Sequence, residues 1–242
     1  MGTDFRTGAF ADKRVVVTGG TSGIGAAVAV GFAALGAQVT AAGLNSADAL
    51  PVLTQVTEVV ELDVTTEAEV DQFFNSLTRL DVLVNCAGVI RRADEYQMDI
   101  FQGVLEVNLV GTMRVCLAGR ELLTSAHGSI VNVASMTSLF ASPHAPAYGA
   151  SKAAIVQLTK SLAASFAPNV RVNAVAPGWI RTALTSPLQH DPETDRRIIN
   201  RTPAARWGEP DDIVGPVVWL ASTGAAFVTG AVLPVDGGYS CI

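Results

Sequence analysis

Short runs of β-branched residues alternate along this chain with longer Ala- and Leu-rich stretches of helical period. Arg14–Thr18, Gln38–Ala42, Glu58–Leu62, Val82–Asn85, Ser129–Ala134, Arg171–Ala176 and Ala231–Val235 are predicted as strands. Gly23–Leu35, Glu67–Leu77, Asp99–Thr124, Ala147–Phe166 and Asp211–Ala221 are predicted as helices. Several strands are apolar on consecutive positions, as in Val15-Val16-Val17 and Val82-Leu83-Val84. A strand wet on one side would alternate; one buried on both faces reads this way. The pattern therefore predicts a doubly wound α/β fold, a seven-stranded parallel sheet with helices on both faces. No repeat or low-complexity linker divides the chain, so 1–242 is expected to be a single domain. Within it, 1–11 reads as a flexible N-terminal tail. Thr65, ahead of Glu67 and Glu69, reads as a helix cap with first-turn carboxylates. The stretch 179–207, carrying Pro187, Pro192 and Pro203, reads as a substrate loop or lid.

Composition narrows the class. The 242 residues are 49% hydrophobic and 16% charged, far from a disordered chain. A net charge of -6 without a basic stripe speaks against a nucleic-acid partner. Cys86, Cys116 and Cys241 form no CxxC and no Cys/His cluster, so neither a disulfide scaffold nor a metal site is expected. That usage suits a reducing cytosol, and a cytoplasmic location is expected. The N-terminus lacks the apolar core of a signal peptide. Gly25–Leu44 is uncharged and long enough to span a bilayer. It is mostly Ala and Gly, however, with Gly36 where a helix would stop, and no membrane span is expected.

The first chemical signal is Val15-Val16-Val17-Thr18-Gly19-Gly20-Thr21-Ser22-Gly23-Ile24-Gly25, a strand, a Gly-rich turn and a helix start. Such a turn lets the backbone approach a pyrophosphate at a helix N-terminus. The second signal is Tyr148 and Lys152, four apart in a helical stretch and so on one face. A phenol ionises near about 10 and is a poor base at neutral pH, but an adjacent ammonium favours the phenolate. Ser135 ends a strand, where its hydroxyl can point into a cleft and hold a substrate oxygen. Singly, each has a plain alternative: a helix surface pair and a turn cap.

Taken in order, these motifs resemble the classical short-chain dehydrogenase/reductase family over nearly the whole chain. The matching residues are Thr18-Gly19-x-x-x-Gly23-Ile24-Gly25, Asp63, Asn85-Cys86-Ala87-Gly88, Asn108, Ser135, Tyr148-x-x-x-Lys152 and Pro177-Gly178. Cys86 departs from the pattern, which most often has a second Asn there. Within the family the chain looks most like the 2-deoxygluconate 3-dehydrogenase and gluconate 5-dehydrogenase branch. The resemblance implies a Rossmann-type dehydrogenase domain, a nicotinamide cofactor and reversible hydride transfer to or from a secondary alcohol or ketone, a sugar acid or small hydroxy compound. It implies Asn108, Ser135, Tyr148 and Lys152 as the catalytic set, Tyr148 being the acid/base and Asn108 anchoring a relay water. It implies cofactor contacts from Gly19, Thr21, Ser22, Gly23, Ile24, Gly25, Gly43, Leu44, Asp63, Val64, Asn85, Ala87, Gly88, Pro177, Gly178, Ile180 and Thr182, besides Tyr148 and Lys152. It also implies a homotetramer, paired through Asp99–Thr124 and Ala147–Phe166.

Cofactor choice turns on charge. An NAD enzyme usually has an acidic residue about twenty positions beyond the glycines; an NADP enzyme has Arg or Lys nearby. Here that position is Gly43, and no Lys or Arg occurs between Arg14 and Arg79. A 2′-phosphate would lack a partner unless Lys13 or Arg14 folds in, so NAD is expected over NADP. Leu44 to Thr57 leaves little room for a full helix, and Pro51 interrupts it, so the adenine end is expected to be open. Candidate substrate residues are Arg91, Arg92, Met136, His144 and Trp179. An Arg at 91 or 92 suits a carboxylate; a solvated pair or a bridge to Asp94 or Glu95 is the alternative. His144 is either in the pocket or a hydrogen-bonded loop residue. Arg206 is expected to tie the lid to the body. Two rival functions remain: an NADPH-linked 3-oxoacyl reductase, for which a basic docking patch is missing, and a non-enzymatic dinucleotide sensor.

Overall fold

The computed structural model describes residues 5–49 and 53–242. Its strands are β1 Arg14–Thr18, β2 Gln38–Gly43, β3 Glu58–Glu61, β4 Val82–Asn85, β5 Ser129–Val133, β6 Arg171–Pro177 and β7 Val232–Val235. They form one sheet in the order β3-β2-β1-β4-β5-β6-β7, every pair parallel. The order reverses at β1 and β4, and such a reversal opens a crevice at the carboxyl ends of the strands. The helices are α1 Gly23–Ala34, α2 Ser46–Ala49, α3 Glu67–Ser76, α4 Met98–Leu105, α5 Thr112–Ala118, α6 Arg120–Ala126, α7 Pro146–Phe166, α8 Ser186–Gln189, α9 Pro192–Arg201 and α10 Pro210–Ala221.

The consecutive valines of β1 serve two cores. Val15 and Val17 pack with Phe32 of α1 and Val214 of α10 on one face. Val16 packs with Phe74 of α3, Val115 of α5 and Leu162 of α7 on the other. A strand covered on both sides can have no polar alternation, which is why the sequence pattern was readable.

Four local expectations are revised. The predicted helix Asp99–Thr124 is divided into α4, a π-helical stretch Glu106–Gly111, α5 and, after Gly119, α6. Gly111 packs where a Cβ would lie 2.7 Å from Val64 Cγ2, and the stretch carries the buried Asn108 side chain inward. The 179–207 stretch is largely helical, holding α8 and α9; Asp191 caps α9 through Thr194 N at 3.3 Å, with Pro192 following. The Asp-Pro start with Glu193 behind it was the available signal. Thr65 caps nothing: its hydroxyl donates to Asp63 Oδ1 at 2.8 Å, and Thr66 takes the N-cap position. The tail is anchored at Phe10, which is buried against Phe32 with ring centroids 4.9 Å apart. Residues 1–4 of that tail, and Pro51, lie outside the described residues.

Gly25–Leu44 divides into most of α1, a turn at Gly36 and the strand β2. Met98–Ala118 is long and apolar enough to cross a bilayer. It carries the buried Asn108, and its Arg114 donates to Val64 O and pairs with Glu106 at 3.0 Å.

Candidate active site

The crevice at the β1/β4 switch is a continuous groove with two chambers. The larger, about 510 Å³, is lined by Gly19, Thr21, Ser22, Gly43, Leu44, Asp63, Val64, Ala87 and Gly88. The smaller, about 270 Å³, shares Gly19, Ser22 and Gly88 and adds Gly23, Ile24, Gly25, Tyr148, Lys152 and Thr182. Gly19 is one of the groove's tight points. Its φ is 63°, and a Cβ there would stand 2.6 Å from Ala87 N. Only a residue without a side chain lets the β1 turn and the β4 loop meet to form this floor. A long, narrow ligand with a charged middle fits such a cradle beside the N-terminus of α1.

The larger chamber is built mostly from backbone and uncharged groups, with Asp63 and Arg91 as its charged lining. Thr21 Oγ1 donates to Leu44 O at 2.9 Å, fixing the lip beyond β2. Asp63 Oδ1 accepts from Thr65 N and Thr65 Oγ1, both at 2.8 Å, which leaves Oδ2 for a ligand amino group. Lys13 and Arg79 both pair with Asp81, and Arg14 donates to Gln38, all at the opposite end of the sheet. Neither Lys13 nor Arg14 folds into the groove.

The smaller chamber is different. Tyr148 and Lys152 rise from the first turns of α7, with Lys152 Nζ 5.7 Å from the Tyr148 ring centroid. Lys152 is 4% exposed and donates to Val133 O at 2.8 Å. Burial pushes its ammonium down to about 8. Burial likewise drives the Tyr148 phenol above its ordinary value, although the Ser135 hydroxyl and the Arg92 guanidinium pull it down. Arg92 thus joins Lys152, the cation expected in that role, beside the phenol. Ser135 is itself buried, with its oxygen accepting from Thr137 N at 3.2 Å.

Asn108 is wholly buried and fully engaged. It accepts from Val89 N at 2.8 Å and donates to Val89 O and Ser151 Oγ at 3.0 Å each. Ser151 in turn donates to Tyr148 O at 2.7 Å. The side chain thus clamps the β4 loop to the helix of Tyr148.

Glu95 escaped the sequence reading as a site residue. It is 0% exposed and bridges two backbone amides, Arg91 N to Oε1 and Tyr148 N to Oε2, both at 2.8 Å. No side chain at the N-cap residue Ala145 serves α7, so Glu95 supplies that acceptor from another segment. A helix beginning Ala145-Pro146 without a capping residue was the only hint. Glu95 meets the backbone of Arg91 and forms no ion pair with either guanidinium.

The other candidates separate. Arg92 is half-buried beside Tyr148 and donates to Leu184 O at 2.9 Å, reaching across to the lid. Arg91 is exposed and lines the larger chamber. Met136 is buried; the His144 side chain is exposed, its carbonyl accepting from Ala93 N at 2.9 Å. Asn85 lies under the groove, donating to Asn132 at 2.9 Å and to Cys116 Sγ at 3.3 Å. Pro177 and Gly178 end β6, and Ile180 bridges to Gly208. Trp179 and Ile180 line a separate cavity of about 200 Å³ behind the lid. There Arg206 forks onto Asp212 of α10, tying lid to body as expected, and Trp207 Nε1 donates to Asp195 at 2.7 Å within the lid.

A dinucleotide cradle at a sheet reversal, ending at a part-buried Tyr148 and a buried Lys152 with a serine beside them, defines a nicotinamide-dependent oxidoreductase. The chain belongs to the short-chain dehydrogenase/reductase family. A family profile described as enoyl-(acyl carrier protein) reductase matches residues 19–240. The chain is 38% identical over 244 residues to a 2-dehydro-3-deoxy-D-gluconate 5-dehydrogenase of Bacillus subtilis, covering 94% of each. It is 36% identical to a 3-oxoacyl-[acyl-carrier-protein] reductase of Thermotoga maritima, covering 93% of this chain and 97% of that one. The structure of a gluconate 5-dehydrogenase from Burkholderia cenocepacia, in complex with NADP and tartrate, superposes with a TM-score of 0.90 at 31% identity and 98% coverage of both chains.

Proposed function

We propose that this enzyme is an NAD-linked dehydrogenase of a sugar acid or similar small hydroxy acid. The observation that carries the reading is Arg92, a half-buried guanidinium that donates to Leu184 O at 2.9 Å, Leu184 and Tyr148 both lining the smaller chamber. A fixed cation there suits a substrate carboxylate, which a guanidinium fork binds with direction as well as charge. The name of the Bacillus subtilis relative and the tartrate in the Burkholderia cenocepacia complex support the same class.

When bound, the nicotinamide supplies hydride acceptance and donation. Tyr148, as phenolate, takes the proton of the substrate hydroxyl during oxidation and returns it during reduction. Ser135 donates to the substrate oxygen as it becomes a carbonyl. Lys152 holds cofactor hydroxyls with its ammonium. Asn108 holds the Val89 and Tyr148 segments in register; its carbonyl, already accepting from Thr112 at 2.9 Å, is the group left for a relay water. Gly19, Thr21, Ser22, Gly23, Ile24, Gly25, Gly43, Leu44, Asp63, Val64, Ala87, Gly88 and Thr182 line the cofactor groove. Asn85, Pro177, Gly178 and Ile180 support it from beneath and behind. We assign NAD over NADP because, among the described residues, no basic side chain lies at the Gly43 lip, although the Burkholderia cenocepacia relative is described with NADP. A cytoplasmic homotetramer remains our reading from the family resemblance, supported by exposed Val110 and Leu117 on the π stretch and α5.

The test is a panel of aldonates, deoxy sugar acids, polyols, hydroxy fatty acids and 3-oxoacyl thioesters, each with NAD(H) and NADP(H), followed by nicotinamide absorbance. Turnover of a hydroxy acid with NAD is expected. Turnover confined to 3-oxoacyl thioesters with NADPH would establish the rival reading that the Thermotoga maritima relative supports.

A further inference from the structure

The lip of the groove beyond β2 lacks the acidic side chain that NAD enzymes commonly place on the ribose hydroxyls, because Gly43 occupies that position. Across the β2–β3 ladder, Gly43 pairs with Glu61, the last residue of β3. The Glu61 carboxylate curls back onto the lip. Its Oε1 accepts from Asn45 N at 3.1 Å and its Oε2 from Ser46 N at 2.8 Å. Asn45 is held at a φ of 56°, which turns these two successive amides toward one anion. Asn45 also lines the larger chamber, so the occupied amides are part of the groove's rim.

We propose that Glu61 is the cofactor-specificity residue of this enzyme: a resident carboxylate that fills the anion-binding amides at the Gly43–Ser46 lip and excludes the 2′-phosphate of NADP. The inference rests on the reading of the groove as a dinucleotide site and names what sets its choice. Two physical effects act together. The backbone donors that could satisfy a phosphate are already committed to Glu61. A second anion at the lip would also meet the Glu61 charge with no cation to offset it. Between Arg14 and Arg79 the sequence holds seven acidic residues and no basic one. Among the described residues, the basic side chain lining the larger chamber is Arg91, which enters from the β4–α4 connection rather than from this lip. The position is distinct from the usual one on β2. The charge comes from the neighbouring strand, and it excludes the phosphate by occupying its donors.

The test is equilibrium binding of NADH and NADPH to the intact protein, read by nicotinamide fluorescence, for wild type and Glu61→Gln. Wild type is expected to bind NADH more tightly. In Glu61→Gln, NADPH affinity should rise roughly fivefold or more, the scale of one partly screened charge, with NADH changed less than about twofold. An unchanged NADPH/NADH ratio in a folded Glu61→Gln protein overturns the role of Glu61 and leaves NAD preference standing. A wild type that prefers NADPH overturns both. Salt supplies a reading that needs no variant. If repulsion sets the choice, raising ionic strength narrows the wild-type discrimination against NADPH. If the discrimination widens with salt, the phosphate is held by a cation such as Arg91, and the proposal fails.

Discussion

Around Gly19, Thr21 and Gly43 the groove is walled mostly by backbone and small neutral side chains, with charge among the described residues confined to Glu61, Asp63 and Arg91 at its rim, whereas around Tyr148 it is walled by the buried Lys152 and Glu95. The first region works by shape. Its glycine turn and its lip, fixed by the Thr21 hydroxyl, present a surface that needs little further adjustment to receive a ligand. The second works by charge. Burial drives the Tyr148 phenol up and the Lys152 ammonium down to about 8, so each is biased toward its neutral form. Arg92 and Ser135 oppose that bias on the phenol. Burial at this end thus favours the neutral phenol, beside the groups that favour its anion.

That contrast can be broken by substitution on the charged side. Tyr148→Phe should lower kcat by ~10²–10⁴-fold, the usual worth of a positioned acid/base, with NADH affinity unchanged in fluorescence titration. Next in size is Arg92→Gln. Loss of a charged hydrogen bond of about 1.5–3 kcal/mol should raise KM for carboxylate substrates by roughly 10–100-fold and leave neutral polyols less affected. Because Arg92 pulls the phenol down, its removal raises the phenol further. The rising limb of the oxidation pH profile should therefore move to higher pH. An unmoved limb would separate Arg92 from Tyr148.

Smaller effects sharpen the comparison. Glu95→Gln turns an amide nitrogen toward one of two backbone N–H donors, losing one of the bonds to Arg91 and Tyr148. A cost of about 1–3 kcal/mol in urea unfolding is expected for the donor left buried. In the larger chamber, Asp63→Asn should weaken NADH binding by only about 0.5–1.5 kcal/mol, with kcat unaltered.

The same contrast explains how much was legible. The sheet, its parallel sense and the Gly-rich turn follow from consecutive valines and glycine spacing, which are local properties of the chain. The Tyr148/Lys152 pair was visible because four residues is one helical turn. Glu95 was not visible: a glutamate in the polar run Arg91–Asp94 gives no sign that packing will remove it from water. Nor was the role of Arg92, because its approach to Tyr148 depends on the β4 loop meeting the start of α7. Helix α9 hid behind the prolines that suggested a loop, although Asp191-Pro192 is a helix start. Charges on separate segments become a site only through tertiary packing, and spacing along the chain carries no record of it.

The most direct test of the central claim is a near-ultraviolet phenolate titration of the protein with and without NAD⁺, using Tyr148→Phe to subtract the other tyrosines. The Tyr148 phenol should ionise above its ordinary value in the free protein and well below it once a positively charged ring occupies the chamber. An identical titration in both states would contradict the claim.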